Sequence, residues 1–359
     1  MQLMTISILR VVGRTSHISL QRITLKFIRP YTEASYRLGN DRVIVSLRER
    51  WKELPRIYGS LVKLKLSALV VATTAAGFGL APSTGSLSTD LALLGWTAAG
   101  VALSSFGANS FNQWLEAPLD SQMGRTCMRP LPTHQLTSFH AFNFALASSA
   151  CGVGLLLWKT NWLAALLSGT NILLYAAFYT PMKRLSVGNT WMGAIVGAIP
   201  PLIGYIGHYA AAFSTVPWSE ILPPCSVLAL LLYCWQFPHF MALSWNIRGD
   251  YARAGYFMAS VLRPSLTTAS ALRHSSGLAF IAPMAWYTDL VGPEFMLSSL
   301  PLNAIMIFLA VSFWRKPHRE SARKLFFYTL LYLPVMMSLL LLHRHFPMRE
   351  SKYKPGASE

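Results

Sequence analysis

Nine long apolar runs, at about 66–81, 91–111, 138–157, 160–182, 185–207, 221–247, 275–288, 295–314 and 325–342, constrain this chain more than any other feature. Most approach or exceed the roughly 20 residues an α-helix needs to cross about 30 Å of hydrocarbon. At that length only a helix satisfies its own backbone, and the alternating ten-residue pattern of a membrane β-barrel is absent. The expected fold is an all-α polytopic membrane protein with about nine transmembrane helices around a central cavity. The first run is short, and Lys63 and Lys65 read as snorkelling anchors that lengthen it. The seventh, at 275–288, is the weakest.

Charge is scarce and lopsided. Charged residues make up 13% of the chain, with 31 Lys and Arg against 14 Asp and Glu, for a net +17. A nucleic-acid binder can carry such an excess, but not together with runs of membrane length, so no nucleic acid is expected as a partner. The connections after the second, fourth, sixth and eighth runs hold the cations. These are Arg125 and Arg129; Lys183 and Arg184; Arg248, Arg253, Arg263 and Arg273; and Arg315, Lys316, Arg319, Arg323 and Lys324. The other connections hold Lys159 alone, a split of thirteen to one that orients the bundle by the positive-inside rule.

Residues 1–32 carry Arg10, Arg14, Arg22, Lys26 and Arg29 and no acid, with Ser and Thr between them. That is the pattern of a mitochondrial presequence, with a disordered basic tail as the alternative. The organisation expected is a presequence at 1–40, a basic matrix-side lead-in at 41–65, the transmembrane domain at 66–342 and a polar tail at 343–359. The location that follows is the mitochondrial inner membrane, with the N-terminus and the cationic loops in the matrix. The four cysteines form no C-x-x-C pair and read as packing residues.

Three stretches are too polar for their setting, and all lie on the cationic side. In 112–131, NQWLEAPLDSQMGRTCMRPL, Asn112, Glu116 and Asp120 recur every four residues along one helical face. Pro118 is expected to kink or unwind that helix. Oxygen ligands with acid charge suit Mg²⁺ shared with substrate phosphates, and Arg125 and Arg129 suit phosphate oxygens. A helix-end cap with a solvated loop is the plainer alternative, weakened by the rarity of acids at membrane depth.

In 179–205, Lys183 and Arg184 would on their own be simple membrane anchors. Gly193, Ala194, Gly197 and Ala198 indicate close helix contact, and Pro200–Pro201 are expected to break their helix. In 235–258, His239 lies near a helix end among aromatic residues, where a lone His is more often a hydrogen-bonded core residue than a ligand. Asp250 is the only acid between Glu220 and Asp289. The polar clusters follow the second and sixth runs, which suggests a pseudo-repeat. Acids for a metal, cations for anionic oxygens and an apolar interior match a polyprenyl diphosphate, ionised at its allylic carbon with aromatic faces sheltering the cation.

These stretches resemble the intramembrane aromatic prenyltransferases of the UbiA type, and within them the mitochondrial branch that farnesylates protohaem IX. The resemblance rests on N-x-x-x-[DE]-x-x-x-D with M-x-R-T-x-x-R-P-L, on Y-T-x-x-K-R with G-A-x-P-P-x-x-G, and on P-H-F-x-A-L with D-Y-x-x-A-G. It covers about 61–342. It implies farnesyl diphosphate as donor, Mg²⁺ as cofactor and haem B as acceptor. The product is haem O, on the route to haem A for cytochrome c oxidase, with a downstream haem A synthase as a candidate partner.

Carried over by motif position, Asn112, Glu116, Asp120 and Asp250 take the catalytic role, with Glu116, Asp120 and Asp250 as metal ligands. Arg125, Arg129, Lys183, Arg184 and Tyr179 bind substrate on the phosphate side, and His239 faces the haem. Glu116 stands where many bacterial relatives carry Asp, and Cys127–Met128 replaces the usual Lys–Asn, leaving that lysine's contact missing or supplied by Lys183. Asn246 precedes Asp250 by four and is not assigned as a ligand. Two alternatives stay open. One is a prenyltransferase acting on a quinone precursor such as a hydroxybenzoate. The other is a transporter, whose site would more often lie near the bilayer midplane than at span ends.

Overall fold

The computed structural model describes residues 35–38, 41–44, 47–82 and 86–345. The expected presequence and the polar tail lie largely outside the described residues. The chain divides into two compact units, Met1–Arg56 and Ile57–Glu359. The first holds an antiparallel ribbon, β1 (Ser35–Leu38) and β2 (Asp41–Ile44), in which Ser35 faces Ile44 and Leu38 faces Asp41. It also holds most of α1 (Leu47–Leu61). This short ribbon is the one β-sheet among the described residues.

The described part of the second unit is helical apart from an isolated bridge between Val291 and Arg344. Its elements are α2 (Leu64–Leu80), α3 (Leu87–Asp120), α4 (Ser138–Lys159) and α5 (Trp162–Leu173). A π-helical turn (Leu174–Tyr179) then leads into α6 (Thr180–Met182). After α7 (Asn189–Gly207) come α8 (Trp218–Asn246), α9 (Arg248–Arg253), α10 (Ala259–Leu262), α11 (Pro264–Leu278), α12 (Ile281–Tyr287), α13 (Glu294–Arg315) and α14 (Arg319–Leu342). Seven of these spans are long and apolar enough to cross a membrane, and α2 joined to the helix before it makes an eighth. The expected seventh run is instead realised as α11 and α12, two shorter helices. Ser275 and Ser276 dilute its start, and the break falls at Ala279–Phe280. Nine apolar segments therefore keep their order, but not all are full-length spans.

Polar side chains set several helix starts. Ser86, Thr137 and Asn161 accept bonds from the backbone N–H groups of Thr89, His140 and Ala164, satisfying donors the first turn leaves open. The prolines do not act as expected. α3 runs through Pro118 to Asp120, because the proline falls in the final turn and the Ser121 N–H still reaches the Ala117 carbonyl. Pro200 and Pro201 lie inside an uninterrupted α7. Their stretch is braced by α2, whose backbone comes unusually close. A Cβ added at Gly204 would sit 1.9 Å from the Thr74 carbonyl oxygen, and one at Gly77 would sit 2.1 Å from that of Pro201. Small residues permit such an approach, and dispersion between the backbones then holds the pair.

Candidate active site

The site is built on the last turns of α3. Asn112, Glu116 and Asp120 share one face and are 0%, 5% and 2% exposed, so each carboxylate needs a partner within the protein. Lys183 Nζ lies 2.8 Å from Glu116 Oε1, and Arg129 Nη1 lies 2.6 Å from Asp120 Oδ2. The turn after α3 brings Arg129 back. Thr126 Oγ1 donates to the Asp120 carbonyl at 3.0 Å and closes the loop beneath the acid. Asn112 donates through Nδ2 to Thr180 Oγ1 at 2.9 Å and accepts from Lys63 Nζ.

Lys63 corrects the sequence reading. It occupies the left-handed region, φ 50°, at the break between α1 and α2. Its amine Nζ turns inward to Asn112 and to the Tyr175 hydroxyl at 3.2 Å, instead of snorkelling outward. Its backbone conformation, rare for a residue with a Cβ, aims the side chain at the site.

The π-helical turn adds an extra residue to one helical repeat, a feature found often at functional sites. Here it stacks Tyr175 on Tyr179, with ring centroids 5.5 Å apart, and sets Lys183 Nζ 4.6 Å from the Tyr179 centroid. Gly193 leaves room for the Tyr179 ring, since a Cβ there would lie 2.8 Å from Cε2. The Tyr175 hydroxyl also donates to Asn109 Oδ1 at 3.4 Å, and Asn109 Nδ2 donates to Ser67 Oγ at 3.1 Å. Burial alone would lower the Lys183 pKa, but the Glu116 carboxylate and the hydroxyls of Tyr179 and Tyr175 outweigh it and hold it well above the usual value. Lys183 is therefore cationic at any physiological pH. Burial pushes Tyr251 up to about 12. Tyr256 is raised too, by burial first and then by the charge of Glu116, to which it hydrogen-bonds. Both phenols are neutral.

The other residues singled out in the sequence are placed as follows. Asp250, on α9, pairs with Arg253 on its own helix. Asn246 donates to the Ala242 carbonyl at 3.0 Å, while its Oδ1 is buried and has no partner. Arg125 and Arg184 are exposed, and the charge of Arg125 acts on Tyr251. His239 lies under Trp235, with centroids 4.8 Å apart, and its Nδ1 is 2.9 Å from Thr329 Oγ1 on α14. Phe326 borders the ring, whereas Phe237 stacks on His274 at 3.5 Å and Phe240 packs beside Tyr251 and Tyr256. Lys63, Asn109 and Tyr175 are the polar members that the sequence reading left out.

Among the described residues no three His, Cys, Asp or Glu side chains cluster closely enough to hold a metal alone. The donor set still suits Mg²⁺. Glu116 and Asp120 lie one turn apart, Asp250 has the unpartnered Asn246 oxygen near it in sequence, and Mg²⁺ commonly takes one or two carboxylates and completes its shell with phosphate oxygens and water.

Comparison with known proteins gives the lineage. The profile of the UbiA prenyltransferase family matches residues 70–332. Protoheme IX farnesyltransferase, mitochondrial, of Homo sapiens is 43% identical over 300 residues, covering 82% of this chain and 65% of that protein. The protein of the same name in Arabidopsis thaliana is 43% identical over 291 residues, covering 80% of this chain and 65% of its own length. The chain thus spans about two thirds of the length of these relatives. Among solved structures, that of a digeranylgeranylglyceryl phosphate synthase has a TM-score of 0.66 at 13% identity, covering 80% of this chain and 98% of that one. A UbiA homolog from Archaeoglobus fulgidus bound to DMAPP and Mg²⁺ has a TM-score of 0.54 at 12% identity, covering 79% of this chain and 99% of that one. Fold, motif positions and sequence identity agree: the chain belongs to the UbiA prenyltransferase family.

Proposed function

We propose that this protein transfers the farnesyl group of farnesyl diphosphate to a vinyl group of haem B, with diphosphate leaving and water adding its hydroxyl to the resulting carbocation with loss of a proton, forming haem O. The observation that carries the reading is the alternation of three inward basic side chains, Lys63, Arg129 and Lys183, with two buried carboxylates, Glu116 and Asp120, beside stacked tyrosine rings. The acceptor is inferred from relatives at 43% identity that are named for haem farnesylation.

In this reading Lys63, Arg129 and Lys183 pass from their carboxylate and amide partners to the phosphate oxygens as substrate arrives. They stabilise the charge that grows on the leaving diphosphate as the allylic C–O bond breaks. Glu116, Asp120 and Asp250 would hold Mg²⁺, which when bound supplies Lewis-acid stabilisation of that same leaving group. Asn112 fixes Lys63 and Thr180. Arg125 and Arg184, on the exposed rim, draw the anionic head inward. Tyr175 and Tyr179 offer ring faces to the allylic cation. A quinone precursor is the rival acceptor. Purified protein given farnesyl diphosphate and Mg²⁺ should consume the donor with haem B and not with 4-hydroxybenzoate. The opposite preference would overturn the assignment.

His239 is assigned to the haem side, its Nδ1 held by Thr329 so that Nε2 is left to meet iron or a propionate. His239→Ala is expected to weaken haem B binding, measured by absorbance titration, while farnesyl diphosphate binding stays unchanged. Normal haem binding and turnover would make the residue purely structural.

The location proposed is the mitochondrial inner membrane, with the site in the matrix and a haem A synthase consuming the product. A tag placed after Glu359 should be cut by protease added to mitoplasts, while the Lys183–Arg184 loop is protected. A tag that survives while membranes stay sealed would reverse the orientation.

A further inference from the structure

At the cationic end of the bundle, where α8 and α13 end and α11 begins, a groove of about 560 Å³ opens between the three helices. Trp245, Trp314, Pro264, Thr268 and Arg315 line it. Trp245 is 7% exposed and braced edge-on by Phe313, whereas Trp314 is 49% exposed at the rim. The Arg248 guanidinium lies 4.6 Å from the Trp245 ring centroid. The groove shares no residue with the site of Glu116 and Asp120.

Among the described residues its charge is not balanced. The connections framing it hold two acids, Asp250 and Glu320, and these are paired with Arg253 and Lys324. Arg248, Arg263, Arg315 and Lys316 form no ion pair with any described residue. Tryptophans at span ends sit at headgroup depth, and a basic hollow between helices at that depth meets phosphates on one side and acyl chains on the other. An apolar indole wall beside unneutralised cations suits an occupant with one anionic end and one apolar end.

We propose that this groove binds a phosphate-bearing anionic phospholipid, with its head within reach of Arg315 and Arg248 and its chains against Trp314. The site lies outside the reaction chemistry and does not depend on the acceptor being haem.

The test is native mass spectrometry of the delipidated full-length protein, titrated with dioleoyl phosphatidylglycerol and, separately, with dioleoyl phosphatidylcholine. Phosphatidylglycerol should bind more tightly. A cation near an anionic headgroup is worth about fivefold in affinity, so Arg248→Gln with Arg315→Gln should weaken it by roughly 25-fold. Arg248→Lys with Arg315→Lys keeps the charge and should keep most of the binding. Trp314→Gln, which removes an indole wall without touching a charge, should also weaken it and serves if the charge variants fail to fold. Equal binding of the two lipids overturns the proposal. So does a loss from Arg323→Gln as large as that from Arg315→Gln, which would mean a diffuse field and no site. Displacement of bound phosphatidylglycerol by equimolar haem B would also overturn it, giving the groove to substrate.

Discussion

Replacing Glu116 by glutamine is expected to lower turnover by roughly 30- to 1000-fold, the cost of about 2–4 kcal/mol of transition-state stabilisation. The amide keeps the size of the side chain and removes its charge, so the loss reports electrostatics and not packing. Glu116 is also the counter-charge of Lys183. Breaking a buried pair on one side is strongly destabilising, by about 3–5 kcal/mol, because the remaining charge has no partner. Glu116→Gln should therefore lower Tm as well. Adding Lys183→Met should restore Tm without restoring turnover, which separates folding from catalysis. Asp120→Asn should resemble it in turnover but cost less stability, since the Arg129 side chain is 19% exposed and water can take the place of its partner. Asn112→Ala should be milder, because it removes a neutral group. Combined with Asp250→Asn, Asp120→Asn should lose less than the sum of the single losses, as residues acting as one unit fail together. Near-normal turnover across a Mg²⁺ titration in that double variant, in folded and inserted protein, would remove the metal role of these acids.

The second large effect lies at a site with no chemistry. Gly204→Val should abolish accumulation of folded protein, or lower Tm sharply, as read by fluorescence-detected gel filtration. A Cβ at Gly204 would meet the Thr74 carbonyl oxygen at 1.9 Å, and a backbone atom cannot rotate away as a side chain can. α2 must then part from α7, at a cost above the usual 1–3 kcal/mol of overpacking. Lys63 stands at the N-cap of α2, so any protein that survives should also bind farnesyl diphosphate poorly. Gly204→Ala should show the same loss in weaker form. Unchanged Tm in Gly204→Val would mean that the two helices do not approach as described.

Period and charge made much of this architecture readable. The apolar runs gave helix order because membrane length leaves one backbone solution, and the four-residue spacing of Asn112, Glu116 and Asp120 gave a shared face that the folded chain retains. What the sequence hid depends on tertiary context. Lys63 looked like an interfacial anchor, since a lysine at the start of an apolar run usually is one. Only the left-handed turn there, set by the α1–α2 break, sends it inward. Tyr175 and Tyr179 at i, i+4 would suit an ordinary helix, and the π turn that sets their geometry has no residue signature. The double proline at Pro200–Pro201 argued for a broken helix on local grounds, while the contact of α2 through Gly77 and Gly204 decided otherwise. Asn109 lies outside the three motif stretches, as a single amide within an apolar run. Its bonds to Ser67 and Tyr175 tie α2, α3 and the π turn together.

The claim at the centre of this account is that the buried cations and carboxylates act on farnesyl diphosphate in favour of haem. The most direct measurement is mass spectrometry of haems extracted from cells that make haem B but no haem O, after introduction of this chain. A new species with the mass of haem O, the hydroxyethylfarnesyl derivative of haem B, is expected with the wild-type chain and should be missing with Glu116→Gln. Haem B alone, in cells where the inserted protein is abundant and folded, would contradict it.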